Sequence, residues 1–237
     1  MKISILTLFP EMFKGPFDHS IIKNAREKNL ATINFVNIRD FGIGPHKIVD
    51  DKPYGGGRGM ILRVDVLEKA IASVKSKNLN SKNQKVILLD ARGQTFNQAR
   101  AVALSKLKHL ILICGHYEGI DERVRKFIDE EISIGDFIVT GGEIPSMIVT
   151  DAVVRLVNGV LKEGVTSAES FSPFLEYPQY TKPRGFNNLN VPKILLSGDH
   201  EKIKDWQQNE SLKKTLKLRP DLLTPSKKNS QIPQGSL

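Results

Sequence analysis

Apolar positions along this chain change period from one segment to the next. KISILTLF (2–9), TINFVNI (32–38), KVILLD (85–90) and HLILIC (109–114) are short apolar runs. Their length and lack of helical spacing predict buried strands. Between them the spacing turns helical. Residues 17–29, 64–75 and 97–107 read as helices, the second through Val66, Leu67, Ala70, Ile71 and Val74. The pattern predicts a further helix at 120–129 and a strand, ISIGDFIVTGGE (132–143), that ends in paired glycines. A last helix is predicted at 146–159, closed by Gly159. Alternation of this kind predicts an α/β fold with a mainly parallel sheet.

Two stretches escape either period. Asp40 to Met60 is too rich in Gly, Pro and Asp for a strand or a helix. Residues 160–190 hold Ser, Pro, Tyr and Asn clusters, so they read as a linker or a functional segment. From Val191 the helical spacing returns, with Ile203 and Trp206, then Leu212 and Leu216, among many Lys residues. The expected organisation is an α/β domain at 1–160, a linker at 161–190 and a small basic helical domain at 191–237. The tail SKKNSQIPQGSL (226–237) is expected to be disordered.

Charge narrows the partners. The 237 residues carry a net charge of +9, which favours a polyanion, because Lys and Arg contacts to phosphates release counterions. One cysteine, Cys114, excludes an internal disulfide framework and suggests a reducing compartment. No apolar run approaches the ~20 residues of a membrane span. The start, MKISILTLFPEMF, lacks the features of a signal peptide and reads as a first strand. A cytoplasmic protein is expected. The five histidines (His19, His46, His109, His116, His200) show no ligand spacing, and with one cysteine no metal site is expected.

Three strand ends carry glycine: LLDARG (88–93), ICGHYEG (113–119) and IGDFIVTGG (134–142). Ligands of open α/β sheets sit beyond the carboxyl ends of the strands, and glycine lets backbone approach them closely. Neither G-x-G-x-x-G nor a phosphate P-loop is present. PYGGGRGM (53–60) reads as a mobile loop with Arg58 at its tip. A sugar-nucleotide or NAD enzyme would lack its fingerprint and would leave the basic region without a role.

VDDKPYGGGRGM, ICGHYEGIDERV, SIGDFIVTGGE, FLEYPQYTKP and VPKILLSGDHEKIKDW occur in this order. Together they resemble the bacterial tRNA (guanine-N1)-methyltransferase family, from Met1 to about Leu223. Periodicity alone yields an ordinary doubly wound sheet; the resemblance implies the deep trefoil knot of the SPOUT methyltransferases. It implies transfer of a methyl group from S-adenosylmethionine to N1 of the guanosine just 3′ of the anticodon, position 37 of tRNA. It also implies a homodimer whose active site lies at the subunit interface. Nothing in the sequence reads on a Mg²⁺ requirement.

On that resemblance the donor meets the three glycine turns. Leu89 and Gly93 belong to the first turn, and Gly115, Tyr117 and Glu118 to the second. Ile134, Gly135, Asp136, Phe137, Ile138, Val139, Gly141 and Gly142 belong to the third. Glu118 faces a ribose hydroxyl or the sulfonium end, or is a solvated turn carboxylate. The first turn departs from the family's usual Ser-Pro, with Asp90 and Ala91 in their place. Arg155, within VVRLV, matches the arginine that stabilises charge developing on guanine O6; the alternative is a structural pair with Asp151. The family has Asp before Ser-Phe as its base, whereas this chain has Glu169 before Ser170 and Phe171. No aspartate occurs between Asp151 and Asp199, and the other linker glutamates are Glu163 and Glu176. Expected tRNA contacts are Asp50, Arg58, Gly59 and Met60 around the glycine loop, and Lys182, His200 and Lys202 further on. Loss of the base would instead leave an RNA-binding module of the same fold.

Overall fold

The computed structural model describes residues 1–80, 82–167 and 169–223, so the tail expected to be disordered lies outside them. The chain forms two compact units, Met1–Lys162 and a second beginning at Glu163. Among the described residues no helix is long and apolar enough to cross a membrane.

The first unit is built on five parallel strands. In chain order its elements are β1 (Lys2–Thr7), α1 (Ser20–Glu27), β2 (Thr32–Asn37), the short pair β3 (Asp50–Asp51) and β4 (Ile61–Leu62), and α2 (Val64–Val74). There follow β5 (Gln84–Thr95), α3 (Gln98–Ser105), β6 (His109–Cys114), β7 (Glu130–Ser133) and α4 (Glu143–Val154). The main sheet runs β2-β1-β6-β5-β7. Every residue of β6 is buried, because this strand lies between β1 and β5 and is covered on both faces. Its alternate side chains divide the core. Leu110 and Leu112 pack with Ile3, Ile5, Val149 and Val153 on the face covered by α4. Ile111 and Ile113 pack with Val66, Leu67 and Ala70 of α2 on the other. Truncating such a residue to Ala costs about 2–5 kcal/mol.

Four expected elements come out differently. The strand at 85–90 continues to Thr95 through an irregularity in which Leu89 and Gln94 both face Ile132 of β7. LLDARG is therefore a bulge within β5 and not the strand's end. The strand expected over 132–143 stops at Ser133, where Gly135 takes φ +147° and turns the chain away from the sheet. The helix expected over 120–129 shrinks to one 3-10 turn, Glu122–Lys126. Its flanks are held elsewhere: Ile120 bridges Leu62, and the Asp129 carboxylate accepts from the backbone N–H of Val86 at 2.7 Å. The helix expected over 146–159 begins at Glu143 and ends at Val154. Pro145 is tolerated there because the first turn needs no intrahelical donor. Residues 50–51, expected to be irregular, pair with 61–62 as an antiparallel ribbon.

The second unit opens with irregular chain, a short hairpin of β8 (Gly185–Phe186) and β9 (Leu189–Asn190), and then α5 (His200–Leu218). The Asp199 side chain caps α5 by accepting from the N–H of Lys202 at 3.1 Å.

At the amino ends of the central strands, His109 is 2% exposed. Its Nδ1 lies 3.0 Å from Gln84 Oε1 and its Nε2 2.9 Å from Ser4 Oγ. With Nδ1 donating to the amide oxygen, Nε2 is left to accept from the hydroxyl, which is the neutral ring. Burial pushes its pKa from 6.5 down to about 4. The unfolded chain therefore takes up a proton below 6.5 that the folded chain refuses. Stability should be full above pH 6.5 and should fall as the pH drops toward about 4, by up to about 3 kcal/mol from this residue. Urea unfolding across that range should show the slope in the parent and a flatter profile in His109→Gln.

Candidate active site

A cavity of about 220 Å³ lies at the carboxyl side of β5, β6 and β7. Three segments wall it: 88–91 from the bulge of β5, 115–120 after β6, and 132–142 after β7, with Pro145 of α4 closing the edge. Each segment reaches it because the three strands are neighbours in the sheet. The second turn is tight, with Tyr117 in the left-handed region at φ +59°. The third leaves the sheet at Gly135 and exposes Phe137, Ile138 and Val139, Ile138 by 85%.

Two glycines determine how closely these segments approach. A Cβ on Gly142 would stand 2.5 Å from Cys114 Cα, and the Gly142 N–H donates to Gly115 O at 2.8 Å. The third turn is thus sutured to the end of β6 through backbone that admits no side chain. Gly115 differs, since its Cβ position meets only Leu89 O, at 3.5 Å.

Of the residues expected at the donor, Leu89, Gly115, Tyr117, Glu118, Ile134, Gly135, Phe137, Ile138, Val139, Gly141 and Gly142 line this one cavity. Gly93 faces elsewhere: a Cβ there would stand 2.5 Å from the backbone N of Ile132, so it lets β7 pass against the bulge. Asp136 is exposed in the third turn but is not part of the lining. Asp90, at the departure from Ser-Pro, accepts from Arg92 Nε at 3.1 Å and Nη2 at 3.0 Å. That guanidinium holds its carboxyl below the usual range, so the wall gains an ion pair and not a bare charge.

His116 and Glu143 drew no role from the sequence pattern. His116 lines the cavity, stacks edgewise on Phe9 and Tyr117, and its buried Nδ1 has no hydrogen-bond partner among the described residues. Glu143 is buried at the start of α4, where its Oε1 accepts from the Thr7 hydroxyl at 2.7 Å. Only the three-dimensional approach of β1, β6 and α4 gives either residue its setting.

The glycine loop is fastened to the second turn. Glu118 N–H donates to Met60 O at 3.1 Å, Leu62 N–H to Gly119 O at 3.0 Å, and Asp121 N–H to Leu62 O at 2.9 Å. Gly59 lies directly against the Glu118 side chain, while Arg58 is exposed and Asp50 is half-buried in β3. Arg155 is half-buried and follows the last residue of α4, so it stands just past the helix and not within it as expected. Glu169, Lys182, His200 and Lys202 belong to the second unit. Lys182 and His200 are exposed, and the Lys202 ammonium pairs with Asp199 at 2.8 Å.

A parallel sheet with a backbone-walled cavity at the carboxyl side of neighbouring strands is where α/β enzymes hold a small-molecule ligand. A family model described as tRNA (guanine-1)-methyltransferase TrmD matches residues 1–225. A Dictyoglomus turgidum protein is 55% identical over 225 residues, covering 94% of this chain and 90% of its own length. One from Carboxydothermus hydrogenoformans is 56% identical over 226 residues, covering 94% and 87%. One from Clostridium beijerinckii is 54% identical over 224 residues, covering 94% and 92%. All three bear the name tRNA (guanine-N(1)-)-methyltransferase. The chain belongs to the tRNA (guanine-1)-methyltransferase family.

A methyltransferase of this kind uses S-adenosylmethionine as methyl donor, and the cavity suits it on two counts. Gly115 leaves backbone open to a ligand, and His116 Nδ1 waits for a polar partner. Gly115→Val should weaken donor binding at least about tenfold by calorimetry while leaving the melting temperature nearly unchanged. Gly142→Ala forces backbone against backbone and should lower the melting temperature by about 5 °C or more.

Proposed function

We propose that this protein methylates N1 of the guanosine immediately 3′ of the anticodon, position 37, in tRNA. The observation that carries the reading is the single cavity formed by the turns after β6 and β7 and the bulge of β5. Family membership supplies the substrate class. The bound donor supplies an electrophilic methyl carbon on a sulfonium. Gly115, Gly141, Gly142 and the apolar turn 137–139 hold its adenosine end, largely through backbone, and Glu118 lies at its polar end.

The acceptor side falls to charged residues. Glu169 accepts the N1 proton as the N1–C bond forms and the S–C bond breaks. Arg155 offsets the negative charge that gathers on O6. Asp50 accepts from the Watson–Crick edge of guanine, which holds donors at N1 and N2. Arg58, Gly59 and Met60 bring the glycine loop over the splayed base. Lys182, His200 and Lys202 meet phosphates; the Lys202–Asp199 pair is exposed and weak enough for a phosphate to displace. The expected division of labour is a donor domain at 1–160, a linker at 161–190 and a tRNA-binding region from 191.

The working form in this reading is a cytoplasmic homodimer with the site shared between subunits. Phe9, Met12, Ile144 and Ile148 support it: α4 packs on the 3-10 turn Pro10–Phe13, and these four apolar side chains stay exposed. An enzyme reading is favoured over a bare RNA-binding module because glutamate keeps the carboxylate that proton removal requires.

Glu169→Gln should leave donor affinity intact and slow single-turnover methyl transfer at least about 100-fold. Unchanged transfer would move the base elsewhere. Mixing inactive Glu169→Gln with inactive Gly115→Val should restore activity up to about a quarter of the parent's sites if subunits exchange and share a site. Shown exchange without recovered activity would exclude the shared site.

A further inference from the structure

We propose that Thr215 and Ser211 of α5 are positioning residues for methyl transfer, clamping the loop that presents Glu169. The inference rests on Glu169 being the base. Thr215 is the one fully buried side chain among the described residues of α5. Its hydroxyl donates to Ser211 O at 2.8 Å, which turns a lone pair toward Leu175, whose N–H it accepts at 2.9 Å. The Ser211 hydroxyl donates to Leu175 O at 2.6 Å. Both polar groups of Leu175 are thus held by two side chains one helical turn apart. The Lys214 ammonium extends the clamp to Glu176 O at 3.1 Å.

The clamped loop is closed on itself. Glu176 N–H donates to the Ser170 hydroxyl at 3.0 Å, and Phe171 N–H to Phe174 O at 2.7 Å. Arg219 stands over the Phe171 ring, 5.7 Å from its centre. Ser170 adjoins Glu169, so moving Leu175 moves the carboxylate. Glu169 also shares with Ser211 and Leu212 a cleft of about 630 Å³ between this loop and α5. A base displaced by ~1 Å can lose about two orders of magnitude in rate. Two backbone hydrogen bonds to α5 are placed to prevent that displacement.

The test uses the full-length protein and tRNA under single-turnover conditions. Thr215→Val removes the acceptor while keeping the volume, and Thr215→Ser keeps the hydroxyl. Thr215→Val should slow methyl transfer about 10- to 100-fold. Affinities for S-adenosylmethionine and tRNA should stay within about twofold, since a buried hydroxyl touches neither. Thr215→Ser should recover most of the rate. Hydrogen exchange at the Leu175 amide should accelerate in the Val variant and not in the Ser variant. Ser211→Ala, which disturbs no buried side chain, should slow transfer in the same direction and serves if Thr215→Val folds poorly. Normal transfer rates in the clamp variants, with Glu169→Gln inactive, would overturn the positioning role alone. A fully active Glu169→Gln would overturn the base assignment and this inference with it.

Discussion

The suture between Gly142 and the end of β6 governs the first unit. Here the backbone of one segment lies so close to Cys114 and Gly115 that no side chain fits between them. The hydrogen bond from Gly142 to Gly115 O fixes where α4 begins, one residue later. Starting there, α4 lays Val149, Val153 and Val154 onto the core and brings Glu143 to the Thr7 hydroxyl. Burial, with the Glu143 charge beside it, pushes the Cys114 thiol pKa well up, so the sulfur is inert packing. Because the third turn leaves β7 and is fastened at the end of β6, its middle must cross the carboxyl side of β5, which lies between them. The cavity is what that crossing leaves open.

Charge is managed locally in both units. Arg63–Asp65, Asp90–Arg92, Asp121–Arg123 and Arg219–Asp221 are ion pairs between residues two apart. In each the arginine holds the carboxyl below its usual range. Pairs with at least one partner open to solvent, as these are, add little stability. Their effect is directional: each guanidinium is held against a carboxylate of its own turn, and Arg63 and Arg92 reach on to Asp51 and Glu122 as well. The excess of positive charge is then carried mainly by lysines, whose flexible stems suit a phosphate backbone better than a shaped pocket.

Much of this was legible in the residues, for identifiable reasons. HLILIC reads as a strand because all six side chains are buried, and the structure returns the same bounds. The helix at 64–75 was legible through the stripe of Val66, Leu67, Ala70 and Ile71. ISIGDFIVTGGE misleads because Phe137, Ile138 and Val139 are apolar for exposure in a turn and not for burial in a strand. Residues 120–129 mislead because long-range partners, Leu62 and Val86, claim both flanks of a locally helical pattern. The glycines at 115, 141 and 142 mark the cavity correctly by position, but local sequence does not separate Gly115, open to space, from Gly93, which fits against backbone. That distinction depends on which strand lies opposite. Glu143 and His116 are silent in sequence for the same reason.

The ribbon of β3 and β4 makes residues 52–60 a flap with anchored ends. Most of the entropy lost in bringing those ends together is spent when the protein folds, and a ligand need only still the tip. Tyr54, 99% exposed, rides on that tip. The flap's base is also joined to the turn 118–121, so the loop and that wall of the cavity stand on one hydrogen-bonded base and a shift in either is passed to the other.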